Sequence, residues 1–174
     1  MEDATKKVLS LKVGELDENR VGIVGGSHGG FLAGHMIGQH PTLFKAACMR
    51  NPVTNISSMF TLSDIPDWCK IEVLGLGSYE WDDFIPPNAD QLVKMYNASP
   101  VSHLPSITAP TLLLLGGKDL RVPLRQGVEF YHALKANLVT TKMKIYPEDT
   151  HALSKAATEG DHWIEIVNWM DTHL

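Results

Sequence analysis

The chain has 174 residues, 44% of them apolar and 20% charged, proportions of a globular protein with one domain or a piece of a larger one. Its 15 Lys and Arg against 20 Asp and Glu give a formal net charge of -5. Nothing basic is left to neutralise a phosphate backbone, which excludes a nucleic-acid-binding surface.

The start, Met1-Glu2-Asp3, is polar and lacks the basic and apolar regions of an export signal. No run approaches the roughly 18 apolar residues of a spanning helix, so a protein neither exported nor in the membrane is expected. Ala4 to Val13, with Val8, Leu9 and Leu11 among lysines, reads as a short amphipathic helix, broken at Asp17-Glu18-Asn19. Arg20 to Gly25 is a short strand that runs into the glycine cluster Gly25 to Gly30. Phe31 to Gln39 then reads as a helix, with Phe31, Leu32, Met36 and Ile37 near one face, ended by Pro41. Lys45 to Arg50 is a second strand, halted at the turn signal Asn51-Pro52.

From Asn55 to Asn97 the pattern is helical but interrupted by Pro66, Gly75, Gly77, Pro86 and Pro87, as for short helices laid over a sheet edge. Thr111 to Gly116, with consecutive leucines Leu112 to Leu115, is a strand without polar alternation, as a parallel strand covered on both faces requires. A helix follows over Pro123 to Ala136, its proline near the first turn, where a missing N–H does no harm. Lys142 to Tyr146 is a fourth strand, Pro147 to Thr150 a loop that delivers His151, and Asp161 to His173 a closing helix with Trp163, Ile166, Val167 and Met170 at helical spacing. With no internal repeat or linker, strands alternating with helices predict an α/β fold with a mainly parallel sheet.

Gly25-Gly26-Ser27-His28-Gly29 has the form G-x-S-x-G, between a strand and a helix. In that setting a serine is held on a sharp turn with its hydroxyl exposed above the sheet, and Gly25 and Gly29 are expected to make room for the neighbouring strand and helix. The rival is a glycine-rich turn whose serine caps the next helix. A phosphate loop fits less well, since no G-K-[ST] follows and the spacing is not G-x-G-x-x-G.

Two partners follow in order. Asp119 lies in Gly116-Gly117-Lys118-Asp119 after the leucine strand, and His151 after the next strand. Ser, Asp, His is the chain order of α/β-hydrolases, and all three residues would sit at carboxyl ends of strands, where open α/β sheets place their sites. A serine hydroxyl is a weak nucleophile until an imidazole takes its proton, and a carboxylate fixes that imidazole's tautomer. The backbone N–H of His28, next to the serine, is the expected oxyanion donor. The competing reading makes Asp119 a surface-turn aspartate and His151 a solvated loop or capping histidine.

Cys48 on an apolar strand reads as core, and Cys69 beside Trp68 has no evident base to activate it. Two cysteines outside C-x-x-C spacing make neither a disulfide framework nor a cysteine zinc site, and they fit a reducing, cytoplasmic compartment. His35, His40, His103, His132, His162 and His173 read as surface or packing residues, and the acidic run Glu80 to Asp83, broken by Trp81, as a solvated loop. No metal or cofactor is expected.

Gly26-Ser27-His28-Gly29-Gly30-Phe31, Arg50-Asn51-Pro52-Val53, Asp64-Ile65-Pro66-Asp67-Trp68-Cys69, Asp119-Leu120-Arg121-Val122-Pro123 and Thr150-His151-Ala152-Leu153-Ser154 together resemble the acylaminoacyl-peptidases of the prolyl oligopeptidase family. The resemblance runs through the whole chain. It implies an α/β-hydrolase fold and a cytosolic serine exopeptidase, homo-oligomeric in its full-length form, that removes an N-acylated, commonly acetylated, amino acid from short peptides. Ser27 would be the nucleophile, Asp119 the orienting acid and His151 the general base. Arg121 matches the family arginine that holds a substrate carbonyl, and Trp68 and Val122 fall where the family lines a side-chain pocket. For Trp68, core packing is the alternative.

The resemblance also implies parts not found in this sequence: an N-terminal β-propeller, the early strands of the hydrolase sheet, and an H-G-G segment ahead of the serine that supplies a second oxyanion donor. Removing one such donor typically costs on the order of 10²–10³ in turnover. Residues 1-174 are therefore expected to form the C-terminal part of a hydrolase domain, with the serine strand exposed as a sheet edge. An esterase on the same fold is one alternative, and a catalytically impaired product that acts as an interaction module is another.

Overall fold

The computed structural model describes residues 1–79 and 85–174, and the expected solvated loop at Glu80 to Asp83 lies outside them. Among the described residues, four strands form a parallel sheet in the order β1 (Gly22–Gly26), β2 (Ala46–Arg50), β3 (Thr111–Gly116), β4 (Thr141–Tyr146). Each parallel step needs a crossover, and helices supply them. These are α2 (His28–Gln39) after β1, α3 (Ile56–Met59), α4 (Pro66–Leu74) and α5 (Ala89–Asn97) after β2, and α6 (Arg125–Ala136) after β3. An opening helix, α1 (Glu2–Leu11), and a closing one, α7 (Ala156–His173), complete the set.

The strand register pairs Gly26 with Arg50, Arg50 with Leu114, and Gly116 with Tyr146. The four strands thus end at nearly one level, and the loops that leave them meet along one edge of the sheet. β1 is an outer strand, with Val24 47% exposed.

The four leucines of β3 alternate between two cores. Leu113 and Leu115 join Ile23, Ala47, Met49, Ala33, Ile37, Phe130 and Leu134 between the sheet and helices α2 and α6. Leu112 and Leu114 join Cys48, Tyr146, Leu153 and Ile166 beneath α7. A strand covered on both faces needs no polar alternation, and each buried leucine contributes about 1.5–3 kcal/mol by leaving water. A third cluster, Phe31, Val53, Ile56, Met59, Phe60, Cys69, Met95 and Val122, lies over the carboxyl ends of the strands and is built from α3, α4 and α5. A buried polar link ties it to α6, where Gln126 accepts from the Thr54 and Asn55 backbone N–H groups at 3.1 and 2.8 Å and donates to Ser58 Oγ at 2.9 Å.

Several boundaries differ from the sequence expectation. Helix α2 begins at His28, directly after the serine, and it has two working faces: Phe31 and Leu32 face the roof cluster, while Ala33, Met36 and Ile37 face the sheet. Helix α6 begins at Arg125, and Pro123 sits in the turn before it, its carbonyl accepting from Gln126 N–H at 2.8 Å. Helix α7 begins at Ala156 rather than Asp161. Pro100–Ser106, unanticipated because prolines stand at both 100 and 105, is a 3₁₀ segment that closes on α2. Helix α1 forms as expected, but none of its residues is buried. No described helix is long and apolar enough to cross a membrane.

Candidate active site

Ser27 stands between β1 and α2 with φ 56° and ψ -119°, a left-handed backbone that is rare for a residue with a side chain. The strain is held by close packing. A Cβ at Gly25 would lie 2.1 Å from the Gly29 carbonyl oxygen, and one at Gly30 would lie 2.7 Å from Pro52 Cβ. The expectation that Gly29 also makes room is corrected, because a Cβ there meets no described atom within 4 Å. Ser27 occupies the N-cap position of α2 yet makes no side-chain cap bond, so its hydroxyl is not used as a helix cap.

The hydroxyl instead faces His151, whose Nε2 lies 2.9 Å from Ser27 Oγ. The other ring nitrogen, Nδ1, lies 2.7 Å from Asp119 Oδ2. Asp119 is 5% exposed and is fixed through its second oxygen, which accepts from the Arg121 and Val122 backbone N–H groups at 2.9 Å each. A carboxylate can only accept, so Nδ1 donates to it and Nε2 is left to accept the serine proton. This arrangement can draw the proton from Ser27 and stabilise the imidazolium that results. His28 is the first residue of α2, so its backbone N–H has no intrahelical acceptor and is free to face a developing oxyanion.

Beside the triad lies a pocket of about 140 Å³ lined by Ser27, His28, His151, Val53, Met59, Ile65, Trp68, Arg121 and Val122. Val122 is buried in the roof cluster, and Trp68 is half-buried, packing on that cluster while presenting itself to the pocket. Arg121 reaches the rim, where Nε and Nη2 donate to Asp64 at 2.7 and 3.4 Å, and the Asp64 carboxylate raises the already high pKa of the Arg121 guanidinium. The His28 ring stacks against Phe31 at 5.5 Å, meets Trp68 edge-on at 5.9 Å, and brings Nε2 to 3.1 Å from Glu72.

Three contributors are missed by motif reading. Asp64 and Glu72 lie in the interrupted helical stretch, where no spacing marks them as partners of Arg121 and His28. Asn51, read as a turn signal and as part of the Arg50-Asn51-Pro52-Val53 segment but given no role, is 3% exposed and hydrogen-bonds the loop that carries His151. The cysteines are core residues, and burial pushes both thiols up to about 12. Among the other histidines, His162 lies on the buried face of α7, and His35 and His103 share Gln39 as a hydrogen-bond partner. No group of three or more metal-ligating side chains is found among the described residues.

Residues 2–174 match the prolyl oligopeptidase family model. The chain is 44% identical over 171 residues to the mouse (Mus musculus) acylamino-acid-releasing enzyme, an alignment that takes in 98% of this chain and 22% of the mouse protein. The Pyrococcus horikoshii acylaminoacyl peptidase superposes on 97% of the chain, using 26% of its own, with a TM-score of 0.81 and 25% identity. An acylaminoacyl peptidase solved in complex with Z-Gly-Gly-Phe-chloromethyl ketone covers 95% of the chain with 25% of its own, at a TM-score of 0.79 and 25% identity. The chain thus spans about a fifth of the length of its mouse relative and carries the parallel, helix-flanked sheet of an α/β-hydrolase. By sequence over nearly its whole length and by fold, it belongs to the prolyl oligopeptidase family of serine peptidases.

Proposed function

We propose that this chain carries the catalytic apparatus of a serine exopeptidase that cleaves the bond after an N-acylated, commonly acetylated, N-terminal amino acid of short peptides. The observation that carries the reading is the relay from Asp119 through His151 to Ser27, with contacts of 2.7 and 2.9 Å, in a member of this family. Ser27 Oγ attacks the carbonyl carbon as His151 Nε2 takes its proton, and the His28 N–H stabilises the oxyanion. The tetrahedral adduct collapses as His151 protonates the leaving amine, leaving an acyl-enzyme on Ser27. Water then attacks with His151 again as base, releasing the acylated amino acid and restoring the serine.

The pocket supports an apolar side chain on the acylated residue. An apolar cavity of about 150 Å³ accommodates a benzene ring. The space of about 140 Å³ between Trp68, Val53, Met59, Ile65 and Val122 is therefore of a size for one side chain up to an aromatic ring. The chloromethyl ketone held by the related peptidase ends in phenylalanine, which agrees with that size. Arg121, at the rim, holds a substrate carbonyl in this reading. Two unpaired, buried cysteines fit a cytoplasmic setting for the same reading.

Labelling by a fluorophosphonate probe, with Ser27→Ala as control, tests the nucleophile, and acetyl-amino-acid amides compared with simple esters test the substrate class. Ser27-dependent labelling and preference for the acetylated amides are expected. A folded chain without Ser27-dependent labelling overturns the peptidase reading, and preference for simple esters replaces it with an esterase.

A further inference from the structure

Asn51 is buried at the carboxyl end of β2, in the left-handed region with φ 40°, where asparagine is one of few side chains readily accommodated. Its main chain continues the sheet, the N–H donating to the Leu114 carbonyl at 2.9 Å. Its side chain leaves the sheet and bridges two neighbours. Oδ1 accepts from the Gly116 N–H at the end of β3 at 2.7 Å, and Nδ2 donates to the His151 carbonyl at 2.8 Å and, more weakly, to the Thr150 carbonyl at 3.4 Å. The partners settle the orientation of the amide: a backbone N–H can only donate and a backbone carbonyl can only accept, so the two ends cannot be exchanged.

The neighbouring Arg50 extends the bracket, its Nη2 donating to the Ala152 carbonyl at 3.0 Å. Arg50, the last residue of β2, and Asn51 directly after it therefore hold three consecutive carbonyls of the histidine loop. The same Arg50 accepts the Ser27 N–H on its own carbonyl at 2.8 Å. One strand end thus references the serine turn, the β3 exit toward Asp119 and the histidine loop to a common frame. Gly116 permits the close passage, because a Cβ there would lie 2.4 Å from the Thr150 carbonyl oxygen.

We propose that Asn51 is a positioning residue that sets His151 against Ser27 and Asp119 by clamping the main chain on which His151 is carried. The inference rests on the serine peptidase reading for its catalytic consequence, though not for its structural one. Glycine keeps the left-handed backbone without the clamp, and aspartate keeps the backbone and the Gly116 bond while turning an acceptor oxygen toward two carbonyls. A misplacement of about 1 Å in such a relay costs on the order of 10²-fold in rate.

The test uses the full chain with Asn51→Asp and Asn51→Gly. The primary readout is the proton NMR signal of the His151 Nδ1–H bonded to Asp119, assigned by its loss in His151→Gln. The second is the fluorophosphonate labelling rate of Ser27. Both Asn51 variants are expected to shift or lose the downfield signal and to label roughly 10²-fold more slowly. Should Asn51→Asp fail to fold, Asn51→Gly decides, since it places no like oxygens together and fits the turn. A lowered melting temperature with the His151 signal and labelling rate of the unsubstituted chain would make Asn51 merely structural and overturn the proposal. If the unsubstituted chain does not label at all, the peptidase reading fails, and the His151 signal alone still decides the role of Asn51.

Discussion

Arg121 and Asp64, 57 residues apart in sequence, meet in a two-point ion pair at the pocket rim, Nε to Oδ1 at 2.7 Å and Nη2 to Oδ2 at 3.4 Å. The connection is reinforced by the main chain: Asp64 N–H donates to the Leu120 carbonyl at 3.0 Å, and Ser63 Oγ donates to the Arg121 carbonyl at 2.6 Å. Both side chains are about half exposed, and ion pairs of that kind contribute about 0–1 kcal/mol to stability. The pair's effect is to aim the guanidinium. Asp64→Asn is expected to raise KM for an acetyl-amino-acid anilide roughly tenfold, about the effect of one misdirected charged hydrogen bond. Turnover number and melting temperature are expected to stay near those of the unsubstituted chain. Steady-state kinetics beside a melting curve check this, and a large fall in Tm with unchanged KM would make the pair structural.

The relay makes a sharper demand on Asp119. Asp119→Asn retains the shape and an oxygen able to accept from the Arg121 and Val122 N–H groups, but it presents an amide N–H to His151 Nδ1. The ring must then accept at Nδ1 and carry its proton on Nε2, the wrong tautomer for taking a proton from Ser27. A loss of about 10⁴-fold in turnover is expected, with folding intact. Circular dichroism and turnover measured on the same preparation separate this from simple unfolding.

Much of this architecture was legible in local pattern, and what escaped was polar and long-range. The leucine strand and the G-x-S-x-G turn are each written in a few adjacent residues, because burial on two faces and a strained turn are local demands, and Asp119 and His151 are marked by their places directly after later strands. Gln126 and Asn51 are not readable in that way. Both are buried amides whose partners lie 72 and 100 residues away, and nothing in their neighbours' spacing distinguishes them from solvated polar residues. The Pro100–Ser106 segment was hidden for a related reason: its prolines break regular helix while Pro100 and Val101 pack into the interior.

The glycines offer a test of that distinction. Gly25 and Gly29 look equivalent in the motif, yet a Cβ at Gly25 would stand 2.1 Å from a backbone oxygen that cannot move without unseating Ser27, whereas one at Gly29 meets no described atom within 4 Å. Gly25→Ala is expected to abolish folding or fluorophosphonate labelling. Gly29→Ala is expected to fold with a melting temperature at or slightly above that of the unsubstituted chain, since alanine is favoured over glycine in a helix by about 0.5–1 kcal/mol. Melting curves and labelling of the two variants decide it, and equal damage from both would mean that Gly29 is constrained by more than the described packing.

Acid sensitivity should trace to two histidines outside the relay. His35 Nε2 donates to the Ala98 carbonyl at 3.1 Å, and its Nδ1 accepts from Gln39, an arrangement that requires the neutral ring. Burial, opposed only in part by the Ala98 bond, holds the His35 pKa below its ordinary 6.5, and burial beside Arg50 lowers that of His162. In the unfolded chain these rings take up protons near pH 6.5, while in the folded protein they resist until the pH is lower. The unfolded state therefore binds more protons in that window, so stability is fully present above pH 6.5 and is lost as the pH falls through it toward the folded values. Melting temperature is expected to drop between about pH 7.5 and about pH 5.5, and His35→Gln is expected to reduce that drop by removing one of the two rings whose pKa is lowered by burial. A drop unchanged by His35→Gln would show that its burial is not coupled to folding in this way.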